Sequence, residues 1–206
     1  MQIRELTVAG AWEITPTQRT DDRGIFLEWY RSDSLADAVG HPLDLRQANT
    51  SVSKRGVVRG IHFADVPPGQ AKYVTVTHGA ALDFAIDIRV GSATFGCWDS
   101  VRLDTVDRRA IYLSEGFGHA FVALTDGATV SYLVSDTYNS SAEHGINPLD
   151  PEIALVFPPE AGELLLSPKD TRAPTLAEAT ERGLLPVFQE VLSFTASLGR
   201  ESLCAE

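Results

Sequence analysis

Cysteine is nearly missing from this chain: Cys97 and Cys204 are the only two in 206 residues. They form no CxxC pair and no zinc-like spacing, and nothing in their positions calls for a disulfide between them. A reducing cytoplasm is therefore the expected setting. No apolar run approaches the ~20 residues that a membrane-spanning helix needs. Residues 1–30 carry no basic-then-apolar leader pattern. Positive charge is also scarce. Seventeen Lys and Arg stand against 28 Asp and Glu, a formal charge of −11. That balance disfavours non-specific binding to nucleic acid or to an anionic membrane, but a local basic cluster can still hold a small anion. No phosphate-cradling glycine loop, dinucleotide fingerprint or nucleophile elbow occurs in its strand-then-helix context, which argues against a cofactor-dependent oxidoreductase.

What is present is β structure. With 44% apolar and 22% charged residues, the chain has the composition of a folded globular domain rather than a disordered one. Lys72 to His78 alternates in polarity and stops at Gly79; Leu82 to Arg89 alternates and is followed by Gly91. Phe95 to Leu103, Ala110 to Leu113, His119 to Leu124 and Thr129 to Val134 read the same way, with turn signals such as Asp126-Gly127 between them. Many short strands with regular turns predict an all-β sandwich or closed barrel over about the first 170 residues. The character then changes. Pro174 to Arg182, with Gly183 after it, predicts a helix, and residues 187–199 predict a second one. The last few residues are expected to fray. One domain with a short helical appendage accounts for the length.

Side chains alternate faces along a strand, so parity points to candidate site residues. His62 shares a predicted face with Val58 and Gly60, Lys72 with Val74 and Val76, and Tyr132 with Val130 and Val134. Three polar groups that share faces with apolar neighbours point inward on this reading. A buried lysine is costly unless it has a partner or a task. The competing reading leaves Lys72 in water on an edge strand and His62 as a satisfied core histidine. Metal-binding barrels often pair two histidines one residue apart. Here His62 and His119 each stand alone between small and apolar residues, so a metal-free acid/base site is the better expectation.

A series of spaced motifs bears further on function. In order they are Asp22-Arg23-Gly24-Ile25-Phe26-Leu27-Glu28, Gln47-Ala48-Asn49-Thr50-Ser51, Arg59-Gly60-Ile61-His62-Phe63 and Pro67-Pro68-Gly69-Gln70-Ala71-Lys72. Asp87-Ile88-Arg89, Thr94-Phe95-Gly96, Gly118-His119-Ala120-Phe121, Ser131-Tyr132, Tyr138 with Glu143, and Ser167-Pro168-Lys169-Asp170 follow. In this register the chain resembles the dTDP-4-dehydrorhamnose 3,5-epimerase family from about residue 2 to about 186. The resemblance implies a double-stranded β-helix (a cupin or jelly-roll barrel) with short C-terminal helices: an epimerase domain over 1–186 and a helical tail over 187–206. It also implies a homodimer, no metal and no cofactor.

The implied reaction inverts carbons beside a ketone in a dTDP-linked 4-keto-6-deoxy sugar. It needs a base, a stabiliser for the enolate oxygen, and an acid on the far face. The resemblance places His62 as the base, Asp170 as its carboxylate partner, Lys72 beside the enolate oxygen and Tyr132 as the acid. A free imidazole, with a pKa of ~6.5, is mostly able to accept a proton at neutral pH. Arg23, Arg59 and Lys169 match a diphosphate clamp, and Tyr138 matches a stacking platform for thymine. Phe26, Glu28, Gln47, Asn49, His119 and Glu143 match positions that line the sugar and nucleotide. Two departures are present: Ala64 stands where many members have Gln, and Ala120 where Gly is common. Inversion of C3 and C5 together is the leading expectation. A mono-epimerase of a natural-product sugar pathway, a non-catalytic nucleotide-sugar-binding barrel and a metal-dependent barrel enzyme are the alternatives.

Overall fold

A computed structural model describes residues 1–203, with side chains described to Gly199. Cys204 and the end of the chain expected to fray lie outside the described residues. The elements in chain order are β1 (Gln2–Glu5), β2 (Ala11–Thr15), β3 (Arg19–Asp21), β4 (Gly24–Phe26), α1 (Ser32–Val39), β5 (Gln47–Ser53), β6 (Val58–Ala64) and β7 (Lys72–His78). Then come β8 (Ala80–Asp87), β9 (Trp98–Asp104), β10 (Ala110–Leu113), β11 (Phe117–Ala123), β12 (Ala128–Val134) and β13 (Glu143–Gly145). The chain closes with α2 (Pro168–Thr171), α3 (Leu176–Glu181) and α4 (Phe188–Leu203). Each alternating segment picked out in the sequence overlaps one of β7 to β12, and the bounds differ by one to three residues at four of them.

Two antiparallel sheets face each other. One has six strands in the order β1-β2-β10-β7-β12-β5, the other five in the order β13-β6-β11-β8-β9. This is a jelly-roll barrel, and its packing explains the alternation. Val74, Val76, Ile111 and Val130 of the six-stranded sheet meet Ala81, Ala85, Val101, Leu103, Phe117 and Phe121 of the five-stranded sheet in one dry interior. The opposite face of the five-stranded sheet carries Phe63, Phe84 and Ile86, which the C-terminal residues Ile153, Leu176 and Leu185 cover. The outer face of the six-stranded sheet carries Tyr73 and Tyr112, covered by Leu35 of α1 and by Leu43. Both strand faces are therefore apolar over long stretches, and each large side chain buried this way contributes roughly 1.5–3 kcal/mol.

The helices follow local rules. Thr175 caps α3 and forms a reciprocal capping box with Glu178. α4 docks through Val191, which is buried, and through Phe188, whose ring lies 5.1 Å from the Arg89 guanidinium. Arg89 also stacks on Phe117 at 4.1 Å and pairs with fully buried Asp87 at 2.8 Å. Asp87 Oδ2 further accepts from Ser92 and Thr94 hydroxyls, each at 2.6 Å. The Asp87-Ile88-Arg89 and Thr94 motifs thus tie the barrel wall to the docked helix. Among the described residues no helix is long and apolar enough to cross a membrane.

Parity fails at one place that matters. His119 and Phe121 of β11 pair with His62 and Arg59 of β6, so two residues of one strand span three of the other. The extra residue lies at Gly60, whose φ is +138° and where an added Cβ would stand 2.4 Å from the Ala120 Cβ. No side chain fits there. This bulge sends Val58, Ile61 and Phe63 to the outer core. Arg59 and His62, three apart, instead line one cavity. Beside His62 the cavity wall carries Arg59, and Val58 borders the cavity while packing into the outer core.

Candidate active site

A cavity of about 630 Å3 opens at one end of the barrel interior, between the sheets. Its lining brings together His62, Lys72, Tyr132 and Asp170, with Gln47, Asn49, Arg59, His119, Tyr138, Glu143 and Lys169. His62 stands on the five-stranded sheet; Lys72 and Tyr132 stand on the six-stranded sheet opposite. Lys72 pairs with Val134 and Tyr132 with Val74 across the β7–β12 ladder. Both side chains therefore leave the same sheet face as near neighbours.

The best-defined contact is His62 Nε2 to Asp170 Oδ1 at 2.8 Å. Asp170 is held on its other side too. Its Oδ2 accepts from the Ser167 hydroxyl at 2.8 Å, while Ser167 Oγ accepts from the Asp170 backbone N–H at 3.1 Å as the N-cap of α2. Burial alone would raise the Asp170 carboxyl, but the hydrogen bonds from His62 and Ser167, with the nearby charge of Lys169, hold it below its usual range. An ionised Asp170 accepts a hydrogen bond from the Nε2–H of a neutral imidazole. Nδ1 then carries the free lone pair, and among the described residues it has no hydrogen-bond partner.

The opposite wall has the complementary character. Desolvation lowers the buried Lys72 ammonium to about 8, against the pull of Glu143 and Glu115. Its hydrogen bond goes to the neutral Gln70 Oε1. Tyr132 is raised by burial, with Arg59 opposing and Glu143 adding to the rise. A phenol held protonated is a donor at rest. At the mouth, Tyr138 is 62% exposed and its backbone N–H donates to Gln47 Oε1 at 3.0 Å. Gln47 in turn donates to Asn49 Oδ1 at 2.7 Å.

Three of the expected residues are not part of this lining. Arg23, Phe26 and Glu28 lie on or just after the β3–β4 hairpin, whose strands pair only with each other. The Arg23 side chain is 90% exposed and paired with Asp21, and Phe26 is 66% exposed. Conversely, the sequence reading gave no role to Ser167 and Gln70, which stand in the quoted motifs, and passed over His144 and Asp83. Fully buried Asp83 accepts from His119 Nε2 at 2.9 and 3.0 Å. Burial raises the Asp83 carboxyl, with His119 opposing. The signals were available: Ser167 three residues before Asp170 is a capping pattern, and Asp83 shares a strand face with Ala81 and Ala85. Among the described residues no group of three or more His, Cys, Asp or Glu is placed to hold a metal ion.

A jelly-roll barrel whose cavity sets a carboxylate-backed imidazole against a phenol and an ammonium defines a proton-transfer enzyme of the cupin type. The comparisons with known proteins agree. The dTDP-4-dehydrorhamnose 3,5-epimerase family profile matches residues 5–178. A dTDP-4-dehydrorhamnose 3-epimerase of Streptomyces niveus is 60% identical over 91% of this chain and 90% of its own. A dTDP-4-dehydrorhamnose 3,5-epimerase of Mycolicibacterium smegmatis is 54% identical over 97% and 98%. Among solved structures, the 3′-monoepimerase ChmJ of Streptomyces bikiniensis in complex with dTDP-quinovose superimposes with a TM-score of 0.91. It is 44% identical over 95% of this chain and 98% of its own. The chain belongs to the dTDP-4-dehydrorhamnose 3,5-epimerase family and is an epimerase acting on a sugar nucleotide.

Proposed function

We propose that this enzyme epimerises dTDP-4-keto-6-deoxyglucose at C3 and C5. His62 removes the proton beside the C4 ketone, and the electron pair moves onto the ketone oxygen as an enolate. Lys72 offsets the charge on that oxygen; one such donor in a dry site contributes about 3–4 kcal/mol. Tyr132 returns a proton from the opposite sheet, so the carbon is re-protonated on its other face and inverts. Asp170 fixes the His62 tautomer and stabilises the imidazolium. Protons come from side chains and solvent throughout. Arg59 and Lys169 hold the diphosphate, Tyr138 stacks on the thymine, and Gln47, Asn49, His119 and Glu143 line the rest. Residues 1–186 carry this chemistry, and the C-terminal helical tail that begins at residue 187 takes no part in it.

The observation that carries the proposal is the His62–Asp170 pair at 2.8 Å on one sheet, facing Lys72 and Tyr132 on the other across one cavity. The test is incubation with dTDP-4-keto-6-deoxyglucose in D2O, following both carbons by NMR. Deuterium at C3 and C5 supports the double inversion, and its absence from both rejects the enzyme reading. Deuterium at one carbon alone moves the answer to a mono-epimerase, a reading favoured by the names of the Streptomyces niveus and ChmJ relatives.

The proposal extends to a cytoplasmic homodimer. Cys97 is an exposed free thiol, in keeping with a reducing compartment. The β3–β4 hairpin region exposes Ile25, Phe26 and Trp29, a patch that a second copy would cover. Arg23 and Glu28 would then serve the second copy's cavity. Light scattering checks the assembly, and Arg23→Ala should raise KM more than it lowers kcat.

A further inference from the structure

Lys72 is buried, and its hydrogen bond goes to a neutral amide oxygen. A buried ammonium in that position needs a counter-charge. Glu143 lines the same cavity. A second carboxylate, Glu115, lies outside the cavity and is only 2% exposed.

Glu115 is built against the segment that carries Lys72. An added Cβ on Gly69 would stand 2.7 Å from both Cβ and Cγ of Glu115, so the Glu115 stem lies hard on that glycine. The Ala71 backbone N–H donates to Ser135 Oγ at 2.8 Å, and Ser135 Oγ donates to Glu115 Oε1 at 3.1 Å. Strand register agrees: Lys72 pairs with Leu113 of β10 and with Val134 of β12, and Glu115 and Ser135 lie just beyond those two partners. Glu115 Oε2 is buried with no hydrogen-bond partner among the described residues. Residues 69 to 72 are thus folded around a carboxylate that the proposed reaction does not use.

We propose that Glu115 is a positioning residue that holds Lys72 in its ammonium form from outside the cavity. The inference rests on the reading of Lys72 as the enolate's partner. The charged groups acting on Lys72 are Glu143 on β13 and Glu115 beyond β10; burial raises the Glu115 carboxyl, and His41 and the Ser135 hydroxyl oppose that rise and favour its charged form. The depressed Lys72 value of about 8 includes the favourable pull of both glutamates. Without Glu115 the ammonium would lose its proton within the working pH range.

The chain has three lysines, Lys54, Lys72 and Lys169. Lysine labelled with 13C at Cε therefore gives a spectrum that Lys72→Met assigns directly. In Glu115→Gln the Lys72 midpoint should fall by about one pH unit, the low end for losing a nearby opposite charge. Glu115→Asp should recover part of that fall. The alkaline limb of kcat/KM should move with it. At pH 8 the charged fraction drops from about one half to about one eleventh, a loss of about fivefold, with almost none at pH 6. An unmoved Lys72 midpoint in Glu115→Gln overturns the proposal. A midpoint that moves while the kinetic limb stays put upholds it and refutes the catalytic role given to Lys72. Should Glu115→Gln fail to fold, Ser135→Ala, which frees Oε1, is read by the same midpoint.

Discussion

Asp170→Asn is the sharpest test of the site, because the structure dictates which way the new amide turns. In the native protein Oδ2 accepts the Ser167 hydroxyl proton, and Oδ1 faces His62 Nε2. In the variant only the carbonyl oxygen can accept from Ser167, so the NH2 group is turned toward the imidazole. An NH2 group donates, and Nε2 must then accept. The ring proton moves to Nδ1, the nitrogen whose lone pair the proposed base needs. The substitution inverts the tautomer and also removes the charge that stabilises the imidazolium. An Asn in the equivalent place of another His–Asp pair lowers kcat about 10^4-fold, or about 5 kcal/mol of barrier. A loss of that size is expected here in deuterium exchange at C3 and C5 of dTDP-4-keto-6-deoxyglucose, followed by NMR with circular dichroism as the folding control. Adding Ser167→Ala to the Asn variant removes the group that orients the amide and should recover part of the loss. Exchange within tenfold of wild type in Asp170→Asn would refute the tautomer argument and, with it, His62 as the base.

Two further outcomes follow from the opposite wall. Lys72 binds its proton less tightly in the folded state, at about 8 against an ordinary 10.5. The resulting penalty is complete below pH 8 and fades as pH rises from there toward 10.5. It amounts to about 3 kcal/mol, less about 1 kcal/mol for the lost bond to Gln70. Lys72→Met should therefore be more stable than wild type by about 2 kcal/mol at pH 7 in urea titration. That advantage should shrink at pH 10, while turnover collapses; a less stable variant at pH 7 would contradict the burial argument. Tyr132→Phe keeps the base and loses the far-side acid, so deuterium should still enter while net inversion falls about 10^2- to 10^4-fold. Equal loss of both would remove Tyr132 from its role.

Much of this was legible without coordinates. The strands from β7 to β12 each overlap a segment whose polarity alternates, because a two-residue period is a local property of an extended chain. Helix α3 was equally plain from Pro174 and Gly183, and its Thr175–Glu178 capping box came with the structure. The face of His62 was misread: the parity rule assumes an uninterrupted ladder, and the bulge at Gly60 exists only because β11 approaches too closely for a side chain. Asp83 was passed over because it acts through a histidine 36 positions away, and Ser167 was given no role because its neighbour Asp170 matters only through His62, 108 positions away.

The amino-acid sequence by itself determined that segments between residues 72 and 134 extend, that the stretches after Pro174 and from residue 187 coil, and that Lys72 and Tyr132 would sit among apolar neighbours. Those outcomes depend on residues a few positions apart. The sheet pairing decided the rest: that residues 62 and 170 touch, that Tyr132 and Lys72 share the facing wall, and that the hairpin carrying Arg23 lies away from the cavity of its own chain. Contacts across 108 residues depend on register, bulges and packing, and those are settled only when both strands of a pair are in place.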